Sequence, residues 1–273
     1  MYSSSEEITE ALEKFRAVRS SANRPVLEKI IPVIENTQPS NPSNGRTKHY
    51  QRLRIGSLEE LLESEPLDIR RPSELLERWD DFKHIVDGTS VGSDEAERIT
   101  RRNTFFSAVE AGLKEKSPEN VRESITVPSE LRLLAEQVDV IWVPKLSYQV
   151  DGAFFDLYDS SRVNSPEVGV DPPYGEEYTD YETCEEYETA IGFQIGDGQD
   201  LDCWVVFSRN KNDSNQPWEW RYATNRNECG IRVFDTIPDA FAEFASYGEP
   251  TKHGIDHWDI GDSVYNHLGP FTT

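Results

Sequence analysis

The spacing of apolar residues changes character along the chain, from a three-to-four-residue period in the first half to alternation in the second. SSEEITEALEKFRAV places Ile8, Leu12, Phe15 and Val18 on one helical face, with Ser4 and Glu7 spaced as a capping box. RPVLEKIIPVIENT predicts a second helix that begins after Pro25 and is interrupted at Pro32. The polar TQPSNPSNGRTKHY, residues 37–50, then predicts an exposed flexible loop. Helical spacing resumes at SLEELLES, at PSELLERWDDFKHIV (Leu75, Trp79, Phe82, Val86) and at SDEAERITRRNTFFSAVEAGLKEK (Ile99, Phe106, Val109, Leu113). KSPEN, residues 116–120, marks a boundary, so the chain is expected to divide into a helical region over 1–118 and a second domain over 119–273.

In that second part VPSELRLLAEQVDVIW predicts a helix from about Pro128, and AFFDLY, residues 153–158, a strand. Ile191, Phe193 and Ile195 alternate with polar or small neighbours, GDGQD makes a hairpin turn, and LDCWVVF is apolar on both faces. Residues 201–207 are therefore an internal strand. Trp218, Trp220 and Tyr222 predict a third strand, GIRVF a fourth, and DTIPDAFAEFAS a helix capped by Asp235 or Thr236, with Ile237, Phe241 and Phe244 facing inward. The expected fold class is α+β: an antiparallel sheet with flanking helices, preceded by a helical N-terminal region.

Composition supports a folded chain, with 36% apolar and 29% charged residues among 273, and no apolar run approaches a membrane-spanning length. The first thirty residues read as charged helix rather than a signal peptide, so a cytoplasmic or nuclear address is expected. Cys184, Cys203 and Cys229 fit neither a disulfide framework nor a zinc pattern.

Charge separates the two halves more sharply. Residues 1–150 hold 21 Lys and Arg against 26 Asp and Glu, a balance of −5, whereas residues 151–273 hold 7 against 25, a balance of −18. Between Arg162 and Arg209 there is no Lys or Arg, while twelve carboxylates occur, seven of them in GEEYTDYETCEEYETA. Such a field repels phosphate backbones and anionic membranes and attracts basic proteins. Tyr174, Tyr178, Tyr181 and Tyr187 interleave there with Glu176, Glu177, Asp180, Glu182, Glu185, Glu186 and Glu188. A solvated loop is one account of that strip. A partner-binding surface is the other: tyrosine supplies contact area with few rotors, and carboxylates pair with Lys or Arg.

Catalytic signals are weak. His253 and His257 lie four apart near Asp256 and Asp259, but Gly254 opposes a helix there and no HExxH is present, so the segment is read as a surface turn and no metal is assigned. There is no GxSxG, and GDGQD lacks the lysine and helix of a phosphate loop, so no cofactor is assigned. Trp218, Trp220 and Tyr222 form a second candidate contact face, although aromatics at period two are more often core.

Val127-Pro128-x-Glu130-Leu131-Arg132 opening a helix, then IGFQIGDGQDLDCWVVF, then IRVFDTIPDAFAEFAS, resembles the SUKH superfamily of cell-wall-synthesis regulators and toxin-immunity proteins, over residues 119–250. The resemblance implies an α+β domain used for protein binding rather than catalysis. The expected function is a regulatory or scaffold module that binds a basic protein through the acidic, tyrosine-rich strip. The alternatives are a hydrolase or transferase of unfamiliar type and an acidic inhibitor that sequesters a basic protein.

Overall fold

The computed structural model describes residues 3–36, 73–142, 152–169, 187–198, 201–213, 215–226 and 230–246. In chain order the helices are α1 (Ser5–Asn36), α2 (Glu74–Glu77), α3 (Trp79–Phe82), α4 (Glu95–Lys116), α5 (Glu119–Arg122), α6 (Ser129–Gln137), α7 (Ser160–Asn164) and α8 (Ile237–Ala245). The strands are β1 (Thr89–Ser90), β2 (Val140–Trp142), β3 (Ala153–Asp156), β4 (Val168–Gly169), β5 (Tyr187–Gly198), β6 (Leu201–Asn210), β7 (Glu219–Arg226) and β8 (Gly230–Phe234). Among the described residues all strand pairings are antiparallel, and the fold is α+β.

Two units make up the chain, each assembled from separated stretches. The first comprises Met1–Lys14, Thr89–Trp142 and Asp151–Phe244; the second comprises Phe15–Gly88, Val143–Val150 and Ala245–Thr273. Residue 118, where the sequence was divided, lies inside the first unit.

Helix α1 begins where the capping box places it. Glu7 Oε2 accepts from Ser4 N at 2.7 Å and Ser4 Oγ accepts from Glu7 N at 3.2 Å, satisfying two amides of the first turn. Its course departs from expectation in two ways. The helix runs unbroken through Pro25 and Pro32 to Asn36. Each proline forfeits a backbone donor, a penalty of about 3 kcal/mol. Burial of Val26, Leu27 and Ile31 along one stripe opposes that penalty. Val18, expected inside, is 40% exposed, and the next position, Arg19, is buried. Within the second unit Arg19 Nη1 donates to the carbonyl of Ala245 (3.2 Å) and Asn23 Nδ2 to that of Val86 (2.8 Å).

The single helix expected over 72–86 is instead α2, α3 and a 3₁₀ turn at Lys83–Val86, broken at Arg78. Leu75, Phe82, Ile85 and Val86 are buried all the same. On α4, capped by Asp94 through the amides of Ala96 and Glu97, the buried residues are Arg98, Phe105, Phe106, Val109 and Leu113, whereas Ile99, expected in that stripe, is 43% exposed. The segments 37–50 and 57–64 lie outside the described residues.

The first unit carries two sheets, ordered β1-β2-β3 and β4-β5-β6-β7-β8. β6 is the middle strand of five, as its apolar character on both faces requires: Cys203, Val205 and Phe207 point one way, Trp204 and Val206 the other, and all are buried. Opposite β6, Phe193 and Tyr222 flank Val205, while Gln194 and Ala223 flank Trp204. β5 carries irregularities at Thr189/Ile191 and at Gln194/Gly196, so Ile195 is the extra residue of a bulge rather than a rung of the alternation expected of it.

Aromatic side chains build the core on the Val205 face. Phe105 of α4 meets Phe193 edge-on at 6.5 Å, Phe193 meets Trp220 at 5.6 Å, and Phe154 contacts Phe241 and Phe244 of α8 at 5.3 and 5.4 Å. Trp220 Nε1 donates to the carbonyl of Thr126 at 2.7 Å, so its one polar atom is satisfied. On the other face Trp204, Val206, Ala223 and Ile231 form a separate buried cluster, with Val233 packed against it.

β3 is tied to β5 by a bridge between Gly152 and Gly198. The approach is close enough to demand glycine at 196, where a Cβ would stand 2.1 Å from the Ala153 carbonyl oxygen and 2.5 Å from that of Phe154.

Candidate partner-binding site

The acidic strip continues into β5. Of its members, Tyr174, Glu176, Glu177, Tyr178, Asp180, Tyr181, Glu182, Glu185 and Glu186 lie outside the described residues; Tyr187 and Glu188 open the strand. Both are engaged by arginines of the same sheet. Arg209 meets Glu188 Oε2 through Nη2 at 2.8 Å and Nε at 2.9 Å, and its guanidinium lies 4.6 Å from the Trp218 ring centroid. Glu188 therefore has a cation of its own.

Tyr187 lies under Arg221, 4.7 Å from guanidinium carbon to ring centroid. Arg221 is buried on β7 and uses its whole fork: Nε to Asp235 at 2.8 Å, Nη2 to Glu219 at 3.2 Å, and Nη1 to the Ser208 carbonyl at 2.7 Å. One arginine thus joins β6, β7 and the turn that leads to α8. Of the second candidate face, Trp220 and Tyr222 are core, while Trp218 is half-buried and stacked on Phe207 at 6.1 Å.

The opposite end of the β5–β6 hairpin holds charges that local sequence does not reveal as a group. Asp197 and Asp202 face each other directly across the strands. Gln194 Nε2 donates to Asp202 Oδ1 at 3.3 Å. Arg162 of α7 reaches Asp197 Oδ1 with Nη2 at 2.7 Å and comes within 3.7 Å of Asp159 Oδ2. Burial pushes the Asp202 carboxyl above the usual aspartate range, and the neighbouring Asp197 and Glu167 charges push it the same way, against the hydrogen bond from Gln194 and the Arg162 charge. Asp159 is held low, chiefly by the Ser161 hydroxyl, which donates to Oδ1 at 2.6 Å; it serves as the N-cap of α7.

Cys203 is a fully buried residue of the sheet core, outside any disulfide. Cys184, Cys229, His253, Asp256, His257 and Asp259 lie outside the described residues. Among the described residues no three His, Cys, Asp or Glu side chains are grouped closely enough to hold a metal ion, and no helix is long and apolar enough to cross a membrane.

Compared with known proteins, the chain matches no family model, no curated protein and no solved structure.

Proposed function

We propose that this chain is a non-catalytic, regulatory or scaffold module of SUKH type that binds a basic protein through the acidic, tyrosine-rich segment from Tyr174 to Glu188. The observation that carries this reading is the concentration of charge: residues 151–273 have a balance of −18, and the strip itself holds seven carboxylates with no Lys or Arg. Like charge at that density costs folding free energy and is useful when it draws in an oppositely charged partner. The α+β scaffold with an aromatic core offers a stable platform for such a strip, and the cytoplasm is the address we assign to it.

The test is a quadruple variant, E176Q/E177Q/E185Q/E186Q, compared with the native chain for the proteins each captures from native lysate. Capture by the variant should fall, and raising salt should weaken native capture, since the screening length drops from about 10 Å at 0.1 M to about 3 Å at 1 M. The same proteins, captured at the same rate with the same response to salt, would remove the support for this reading.

A further inference from the structure

β5 is twelve residues long, yet β4 pairs with it only at Gly192 and Phe193, and the Glu167 carbonyl carries that contact on to the Gln194 amide. At its far end Gly198 is bridged to Gly152. Among the described residues no strand lies along the outer edge of Tyr187, Glu188 and Thr189, although β6 pairs with all three on the other side. We propose that this edge receives an extended, lysine- or arginine-bearing segment of a protein partner, which adds a strand beside Tyr187, Glu188 and Thr189. The proposal rests on the reading of the chain as a binder of basic proteins, and adds how the partner backbone is held.

The edge is vacant for a reason written in the chain. Prolonging β4 in its observed register would set Pro172 against Thr189 and Pro173 against Glu188, and proline has no amide hydrogen to give a ladder. The missing strand is therefore one the sequence after Gly169 is unsuited to supply. Glu188 is exposed and Tyr187 and Thr189 are only half-buried, so a strand arriving from outside can reach them. An open edge of this kind offers backbone donors and acceptors to any extended segment, and side chains must select among candidates.

Glu188 makes that selection. Alternation along β5 sends Glu188 to one face of the sheet and Tyr187 and Thr189 to the other. Arg209 engages Glu188 through Oε2 alone, and the carboxylate is 47% exposed, so Oε1 is open to a second cation. A lysine or arginine directly opposite Glu188 on the added strand supplies it, while β-branched residues on either side pack against Tyr187 and Thr189. Because no Lys or Arg occurs between Arg162 and Arg209, a basic occupant is attracted to this part of the chain and an acidic one is repelled. At the other edge of the sheet β8 presents the exposed Arg232 instead.

The experiment uses the full chain, ¹⁵N-labelled, with acetyl-(Thr-Lys)₃-amide, with the same peptide N-methylated at every backbone nitrogen, and with acetyl-(Thr-Glu)₃-amide. Saturable shifts and slowed amide exchange are expected at Tyr187, Glu188 and Thr189 with the unmethylated lysine peptide alone, since N-methylation keeps the charge and removes the backbone donors. E188Q should bind that peptide about fivefold more weakly, the scale of one exposed ion pair. The methylated peptide leaves the protein untouched, so it decides the matter even if E188Q disturbs the Arg209 contact. Equal protection by the methylated or the glutamate peptide, or protection at Gly230–Phe234 in place of Tyr187, Glu188 and Thr189, would overturn the proposal. So would protection that grows with protein concentration before any peptide is added, which would make a second copy the occupant. The E176Q/E177Q/E185Q/E186Q variant separates the two ideas. If it keeps its lysate partners while the lysine peptide still protects the three β5 amides, the strip fails and the edge stands. If it loses its partners while the peptide leaves those amides unprotected in the native chain, the strip stands and the edge fails.

Discussion

Glu130, in the first turn of α6, accepts a hydrogen bond from the backbone amide of Ile237, the first residue of α8, at 2.8 Å. A side chain 107 residues away thus satisfies an amide that the helix cannot satisfy itself. Thr236 supplies the local half of the cap, accepting from the Asp239 amide at 3.3 Å and donating its hydroxyl to the Asp239 carboxylate at 2.6 Å. Glu130 is fully buried, and that burial raises its carboxyl above the usual range, opposed by the Ile237 amide and by Ser3.

The sign of the Glu130 effect follows from linkage. A raised folded-state pKa contributes stability that is fully present below the unfolded value and is lost as pH rises through the folded value. Glu130→Gln keeps an acceptor for Ile237 while removing the buried charge, so at pH 7 it should melt as high as the native chain or higher, and the native chain should gain on it as pH falls through that window. Glu130→Ala leaves the amide orphaned and should cost about 1–3 kcal/mol in denaturant unfolding. Equal stability of the two variants at pH 7 would show that the bond to Ile237 contributes nothing.

Arg98 and Asp139 form a buried ion pair, Nε to Oδ2 at 2.8 Å, and the same oxygen accepts from the Gly92 amide at 2.7 Å. Removing Arg98 strands the Asp139 charge in the interior, whereas Arg98 without Asp139 still meets Glu95 Oε2 at 2.6 Å. Arg98→Met should cost about 3–5 kcal/mol, Asp139→Ala less, and the double variant R98M/D139A should cost less than the sum of the two single changes. Additive losses in urea titrations would mean that the two groups act independently.

Gly196 has no room for a side chain. Gly196→Ala sets a methyl against two backbone carbonyls of β3, which cannot rotate away as a side chain could, and should cost more than the 1–3 kcal/mol typical of overpacking. At Gly112, the added carbon would meet only the Val168 side chain, at 2.9 Å, and the gain in helix propensity of about 1 kcal/mol opposes the clash. Thermal melts of the two variants should therefore differ clearly, with G112A much nearer the native value.

Val205 is fully buried between Phe193 and Tyr222 in the middle strand. Val205→Asp places a carboxylate there without a partner and should cost more than about 4 kcal/mol. An unchanged melting temperature would contradict the assignment of β6 to the sheet interior.

Asp202 should show the cost of its burial, and of the Asp197 and Glu167 charges beside it, in stability. Its raised carboxyl makes the native chain more stable when that group is protonated, so the contribution is present below the unfolded value and is lost as pH rises through the folded one. Asp202→Asn should flatten that part of the pH profile and raise stability at neutral pH; a profile identical to the native one would show that neither burial nor the Asp197 and Glu167 charges weigh on Asp202.

Local pattern alone determined the main elements of this protein. The Ser4/Glu7 capping box, the α6 start at Pro128, the doubly apolar β6 and the Ile237–Phe241–Phe244 stripe of α8 are each written in a short run of neighbouring residues, and each is found where the pattern puts it. Tertiary structure decided what depends on partners far away in sequence. Pro25 and Pro32 stay within a helix because distant burial outweighs a local penalty, and Ile195 leaves its alternation because β3 carbonyls press on Gly196. Arg19 is buried although nothing in its own helix calls for it. The same holds for the charges. The abundance of acid between Arg162 and Arg209 is visible in the sequence, but the register that sets Asp197 against Asp202, and the turn of α7 that brings Arg162 to Asp197, arise only when strand pairing closes the hairpin and fixes which carboxylates face each other.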